Sequence, residues 1–124
     1  MEAEKKEKVL YVCTHSADDP ERASIPFVMA NAALAMDMEV IVALQGKGVE
    51  LARKGYVDKM LETEFPPMKK LLEDFLELGG KLWVCVPCIK ARNIEEFELV
   101  EGYVLVSAGV LNNEALEADA VFTY

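Results

Sequence analysis

The chain has 124 residues, 52% of them hydrophobic, and its 13 Lys and Arg stand against 22 Asp and Glu for a net charge of -9. That size and apolar content suit one domain with a buried core, and the acidic balance excludes a general role on nucleic acid or anionic membrane, because phosphate contact needs clustered positive charge. No stretch approaches the roughly 20 apolar residues of a membrane span, and the charged start Met1-Glu2-Ala3-Glu4-Lys5-Lys6 is unlike a secretory signal, so the expected location is cytoplasmic.

Residues 1–7 read as a charged N-terminal arm. Residues 9–13 (Val-Leu-Tyr-Val-Cys) form a short β-rich run without polar alternation, the pattern of a strand buried on both faces of a parallel sheet. Cys13 then belongs to the core. His15, directly after this strand, is placed to act as a general base, to orient a substrate or only to cap the next loop. Ile25, Val28, Met29, Ala32, Ala33 and Met36 fall at the spacing of one helix face. A second strand follows over 40–44. After it, Gly46-Lys47-Gly48 reads as a turn; as a phosphate cradle its pattern is incomplete, with Leu51 at the last glycine position.

A shorter helix over 48–54 and an irregular link through Val57, Met60 and Leu61 lead to Pro66. Met68, Leu71, Leu72, Phe75 and Leu76 repeat the helical stripe, opened by Pro66-Pro67 and closed by Gly79-Gly80. Residues 82–86, 103–106 and 120–122 are three further strands, with Trp83 in the core or at a subunit contact. Asn112 or Asn113 is placed to cap a last helix through Leu116.

Strands separated by helices imply right-handed crossovers. The expected fold is a single α/β domain over 1–124, a three-layer α/β/α sandwich with a mostly parallel sheet of about five strands. Chemistry in open sheets of this kind collects at the carboxyl ends of the strands. Four such ends carry small or polar residues: Thr14-His15-Ser16, Gln45 to Gly48, Cys85 to Cys88, and Ser107-Ala108-Gly109.

Three cysteines are an odd count for a stapled extracellular scaffold, and in a reducing compartment they leave redox chemistry or metal binding as functional options. Cys85-Val86-Pro87-Cys88 stands at a strand-to-helix corner. Pro87 biases Val86 towards an extended conformation and is tolerated in a first helical turn, so Cys85 is expected just outside the helix and Cys88 within its first turn. Unpaired N–H groups there, with Lys90 and Arg92 nearby, predict a lowered thiol pKa. The alternative reading is two small buried hydrophobes. A thioredoxin-like domain fits poorly, since no proline follows Pro87 to face the motif. A zinc site would require Cys13 or His15 to converge with Cys85 and Cys88. No metal or other cofactor is assigned.

The segment from Val84 through the cysteine pair to Ile94 resembles the strand, cysteine, short helix and turn of the DsrE/DsrF/TusD family of small sulfur-relay proteins. Residues 99–104 (Leu-Val-Glu-Gly-Tyr-Val) and 44–52 (Leu-Gln-Gly-Lys-Gly-Val-Glu-Leu-Ala) are similar to that family's approach to its fourth strand and its loop after the second. The resemblance runs over nearly the whole chain. It implies a persulfide carried on Cys85 at the end of the third strand; by their positions Cys88 is placed to resolve that intermediate, Lys90 and Arg92 to stabilise negative charge, and His15 to support the site. It also implies sulfur-donor and acceptor proteins as partners, and a homotrimer, hexamer or heterohexamer. Two departures stand out. Cys88 creates a CxxC pair that the simplest relay members lack, so a neighbouring thiol is at hand to attack a persulfide and release sulfide. Asn93 replaces the usual glycine after Arg92, tolerable because Asn enters the left-handed region readily. A dithiol oxidoreductase or redox sensor on the same fold is the alternative function, and a non-catalytic oligomeric assembly subunit the third.

Overall fold

The computed structural model describes residues 6–124; residues 1–5 of the charged arm lie outside the described residues, while Lys6 and Glu7 are exposed. Five strands, β1 (Lys8–Cys13), β2 (Glu39–Leu44), β3 (Lys81–Cys85), β4 (Tyr103–Val106) and β5 (Ala120–Thr123), form one sheet in the order β4-β3-β2-β1-β5. Every pairing is parallel. The apolar runs without alternation are explained by position: β2 lies at the centre, and residues 40–44 are all buried. The two edge strands are more open, with Val104 and Val121 exposed.

Two helices, α1 (Pro20–Ala35) and α2 (Met68–Glu77), pack on one face and build the main core against β1, β2 and β3. Phe27 and Phe75 meet edge to face with ring centroids 5.4 Å apart. A short helix α3 (Val86–Ala91) adds Ile89 to the same core. Among the described residues, the opposite face carries only α4 (Ala108–Glu117), whose Leu111 and Ala115 lean on Leu10, Ile41, Ala43 and Trp83. The sheet and helices therefore make the expected three layers, with one layer much thinner than the other.

Four expectations about local structure require correction. The stripe of Ile25, Val28, Met29, Ala32, Ala33 and Met36 is not the core face of α1; Ala23, Pro26, Phe27, Ala30 and Ala33 are buried, and Met29 and Met36 are exposed. The helix is apolar nearly all round, so spacing alone does not choose a face, and small residues win the side that must approach the sheet closely. Asp19 caps it, accepting from Arg22 N–H, with Pro20 in the first turn. The segment after β2 is a 3₁₀ helix over Gly46–Ala52 rather than an α-helix over 48–54. The last helix begins at Ser107, whose hydroxyl accepts from the Val110 N–H, so Asn112 and Asn113 lie inside it and cap nothing. Finally, β3 ends at Cys85 and Val86 is already helical. Pro87 occupies the second helical position, where its missing N–H leaves no bond unmade. The α2 stripe holds as read, with Met68, Leu71, Leu72 and Phe75 buried.

Candidate functional site

Parallel strands bring their carboxyl ends to one edge, and β3 is flanked there by β2 and β4. Cys85 pairs in register with Val106, and the residues after Leu44 run alongside it. Cys85 is the cap residue of α3, in extended conformation, and Cys88 lies one turn on at the third helical position. Both thiols are free and partly buried. Cys85 lines a cavity of about 70 Å³ together with Leu44, Gln45, Pro87, Val106 and Leu111. A water molecule's share of liquid volume is about 30 Å³, so this space admits one or two small atoms beyond the thiol and no larger substrate.

Cys88 meets the loop after β2, where the Gly46 N–H donates to its Sγ at 3.2 Å. That donor exists because Gly46 adopts the left-handed conformation, φ 53°, and turns its N–H to the sulfur. Gly48 serves differently. A Cβ there would collide with the Cys13 carbonyl oxygen, so this glycine permits close packing of the loop on β1 and makes no turn.

The expected lowering of the Cys85 pKa is overturned. Burial pushes the thiol up, the neighbouring Cys88 side chain adds to the rise, and the Cys88 N–H and the Arg92 charge oppose them only in part. A helix of six residues aligns too few peptide dipoles to compensate. Arg92 is turned to the backbone, donating from Nη1 to the Cys88 carbonyl at 3.1 Å. Lys90 is exposed on the outside of α3 and is not among the influences on Cys85. Asn93 sits at φ 55°, the left-handed position that its family-type glycine would occupy.

His15 is not brought to the thiols. β2 lies between β1 and β3, which puts the two strand ends about 10 Å apart in the sheet. His15 Nδ1 instead stands 2.9 Å from Asp18 Oδ2. A carboxylate can only accept, so Nδ1 is the donor in this pair. Asp18 also accepts from the Ser16 N–H at 2.8 Å, and Lys47 Nζ lies 3.9 Å away. The Ser16 amide, His15 and Lys47 hold this carboxyl down at about 2. The loop after β2 thus touches both centres, through Gly46 at the sulfur and Lys47 at the carboxylate. Asp18 escaped the sequence reading, although its spacing three residues after His15 was a usable signal. The Gly46 amide left no sequence signal, since any residue carries an N–H.

Cys13 is fully buried, and burial pushes its thiol up to about 12. Neither it nor His15 joins the cysteine pair, and among the described residues no three potential ligands cluster around a point. No helix among them is long and apolar enough to cross a membrane.

Residues 7–124 match the model of the DsrE/DsrF-like family. Two uncharacterized proteins of Methanocaldococcus jannaschii are similar in sequence. MJ0989 is 33% identical over 117 residues, covering 94% of this chain and 99% of that one. MJ0760 is 31% identical over 109 residues, where the match covers 88% of this chain but only 40% of the relative. Uncharacterized protein MK0008 of Methanopyrus kandleri is 35% identical over 104 residues, 84% of this chain and 83% of the relative. Among solved structures, the ychN protein of E. coli superposes with a TM-score of 0.80 at 19% identity, over 95% of this chain and 99% of that one. MTH1491 of Methanobacterium thermoautotrophicum, a protein of unknown function, gives 0.73 at 17% identity, over 97% and 100%. The parallel sheet, the cysteine at the end of its third strand and these matches lead to one assignment: the chain belongs to the DsrE/DsrF-like family.

Proposed function

We propose that this protein is a cytoplasmic sulfur-relay protein, a sulfurtransferase in the sense of a persulfide carrier, that holds a persulfide on Cys85 and passes the outer sulfur to an acceptor thiol. The observation that carries this reading is the cavity of about 70 Å³ that Cys85 lines at the strand-end edge, space suited to one added sulfur. In uptake, the Cys85 thiolate attacks the outer sulfur of a donor persulfide and the donor leaves as a thiolate. Delivery repeats the step with Cys85 as the leaving group. A raised thiol pKa gives a smaller thiolate fraction but a stronger nucleophile, and the sulfur it takes up must arrive already at the persulfide level, since sulfide would need a separate oxidant.

The test is to load the reduced protein with a persulfide donor and read the mass of each peptide. Gain of one sulfur on Cys85, absent in Cys85→Ala, is the expected result; an adduct that persists in Cys85→Ala overturns the residue assignment. Association into a trimer or hexamer belongs to the same proposal. Val104, Val110, Leu116 and Val121 are exposed on or beside the thinly covered α4 face and supply apolar surface for it.

A second reading, dithiol redox work through a Cys85–Cys88 disulfide, is favoured by the proximity of two free thiols one helical turn apart. Its reduction potential discriminates: a very negative value with slow exchange disfavours an oxidant role.

A further inference from the structure

We infer that Cys88 gives the site a second activity, discharge of the sulfur held on Cys85 as free sulfide with closure of a Cys85–Cys88 disulfide. The inference rests on the persulfide reading and adds to it a fate for the cargo when no acceptor is docked. Three observations carry it.

The first is register. Cys85 at the cap and Cys88 at the third helical position stand three residues apart, the spacing that puts side chains on one side of a turn with Cβ atoms about 5–6 Å apart. A disulfide asks for about 3.8 Å between Cβ atoms, a closure within reach of a helix end that is only six residues long. The second is the Gly46 N–H, 3.2 Å from Cys88 Sγ. A donor aimed at a sulfur steadies the negative charge that sulfur must carry in order to attack. The third is enclosure. Cys85 opens into a cavity of about 70 Å³, so an acceptor protein must bring its own thiol to that mouth, whereas Cys88 is already beside it.

Attack proceeds on the inner sulfur. The Cys88 thiolate donates its electron pair to Cys85 Sγ, the bond between Cys85 Sγ and the outer sulfur breaks, and the outer sulfur leaves with that pair as hydrosulfide. The outer sulfur is reduced, the cysteine pair is oxidised to the disulfide, and the proton lost by Cys88 passes to solvent; no outside oxidant enters. Leaving-group chemistry points the same way. Burial raises Cys85, which makes it a poorer leaving group than hydrosulfide, so the inner-sulfur route competes well with loss of the outer sulfur to a passing thiol. A dithiol reductant would reset the pair.

The experiment is a single turnover under anaerobic conditions. Fully reduced wild-type protein and Cys88→Ser receive one equivalent of glutathione persulfide; sulfide is measured with time, and the peptide spanning both cysteines is mapped by mass. The expected result is persulfide held on Cys85 in Cys88→Ser, with sulfide release in the wild type faster by roughly tenfold or more and matched by an internal disulfide. Equal persistence of the Cys85 persulfide in both proteins, or sulfide release without the internal disulfide, overturns the discharge step while leaving the carrier reading intact. Absence of any Cys85 adduct in Cys88→Ser overturns the carrier reading itself, and the discharge with it.

Discussion

Cys85 and Cys88 share a motif but meet different surroundings, and their chemistry follows from that difference. Burial favours the neutral form of Cys85, so its thiolate population at neutral pH is small and grows only above the ordinary thiol range. Iodoacetamide labelling of Cys85, followed peptide by peptide, is expected to keep accelerating at pH values where an exposed cysteine has reached its plateau. Arg92→Gln removes an opposing positive charge and is expected to push that rise to still higher pH. Asp18 carries the opposite sign. Its pKa falls to about 2 in the folded state, so the stabilisation it provides is fully present above the ordinary carboxylate value and is lost as pH falls towards 2. Because the group is partly open to solvent, its contribution is about 1 kcal/mol. Urea denaturation at pH 7 and near pH 2 should find Asp18→Asn less stable than the wild type at the first and equal to it at the second.

At the scale of elements, the loop after β2 and the helix α1 show how packing decides what local pattern leaves open. Gly48 lies against the Cys13 backbone, where a side chain has no room and the obstacle is main chain that cannot swing aside. Gly48→Ala should destabilise the fold by about 2 kcal/mol or more and lift Gly46 from Cys88, read as lower urea resistance together with altered Cys88 labelling. In α1, Phe27 is fully buried and meets Phe75, while Met36 is 66% exposed. Phe27→Ala should cost about 3–5 kcal/mol, and Met36→Ala less than about 0.5 kcal/mol, by chemical denaturation. The inference from spacing to face succeeds in α2, where charged residues mark the outside. It fails in α1, where residues 23–36 contain no charged side chain to do so. The same logic explains the last helix: Ser107 supplies the capping oxygen, and the two asparagines that drew attention lie too late in it.

Across the whole molecule, the uneven covering of the sheet is the feature with consequences. One face is buried under α1, α2 and α3, while α4 has no fully buried residue and leaves Leu116 and Val110 in solvent. Sedimentation is expected to give a trimer or hexamer, and Leu116→Lys together with Val110→Lys should shift the protein towards monomer without loss of helical content; a monomeric wild type would overturn the oligomer proposal.

Much of this architecture was legible from residue order. Runs of β-branched residues without alternation, interrupted by helical segments, imply a parallel sheet, and a parallel sheet sends its polar strand ends to one edge. The position of Cys85 at a strand end and of Cys88 in the next turn follows from the same local rules, and the left-handed Asn93 agrees with the glycine that the family resemblance put there. Ionisation did not follow. It depends on groups remote in the chain, on burial against β2, β4 and α4, and on an amide at Gly46, 42 residues from the sulfur it reaches. Local sequence determines backbone geometry because that is governed by near neighbours, whereas the field and the solvent around a thiol are summed over everything that packs against it, and only the tertiary structure decides that sum.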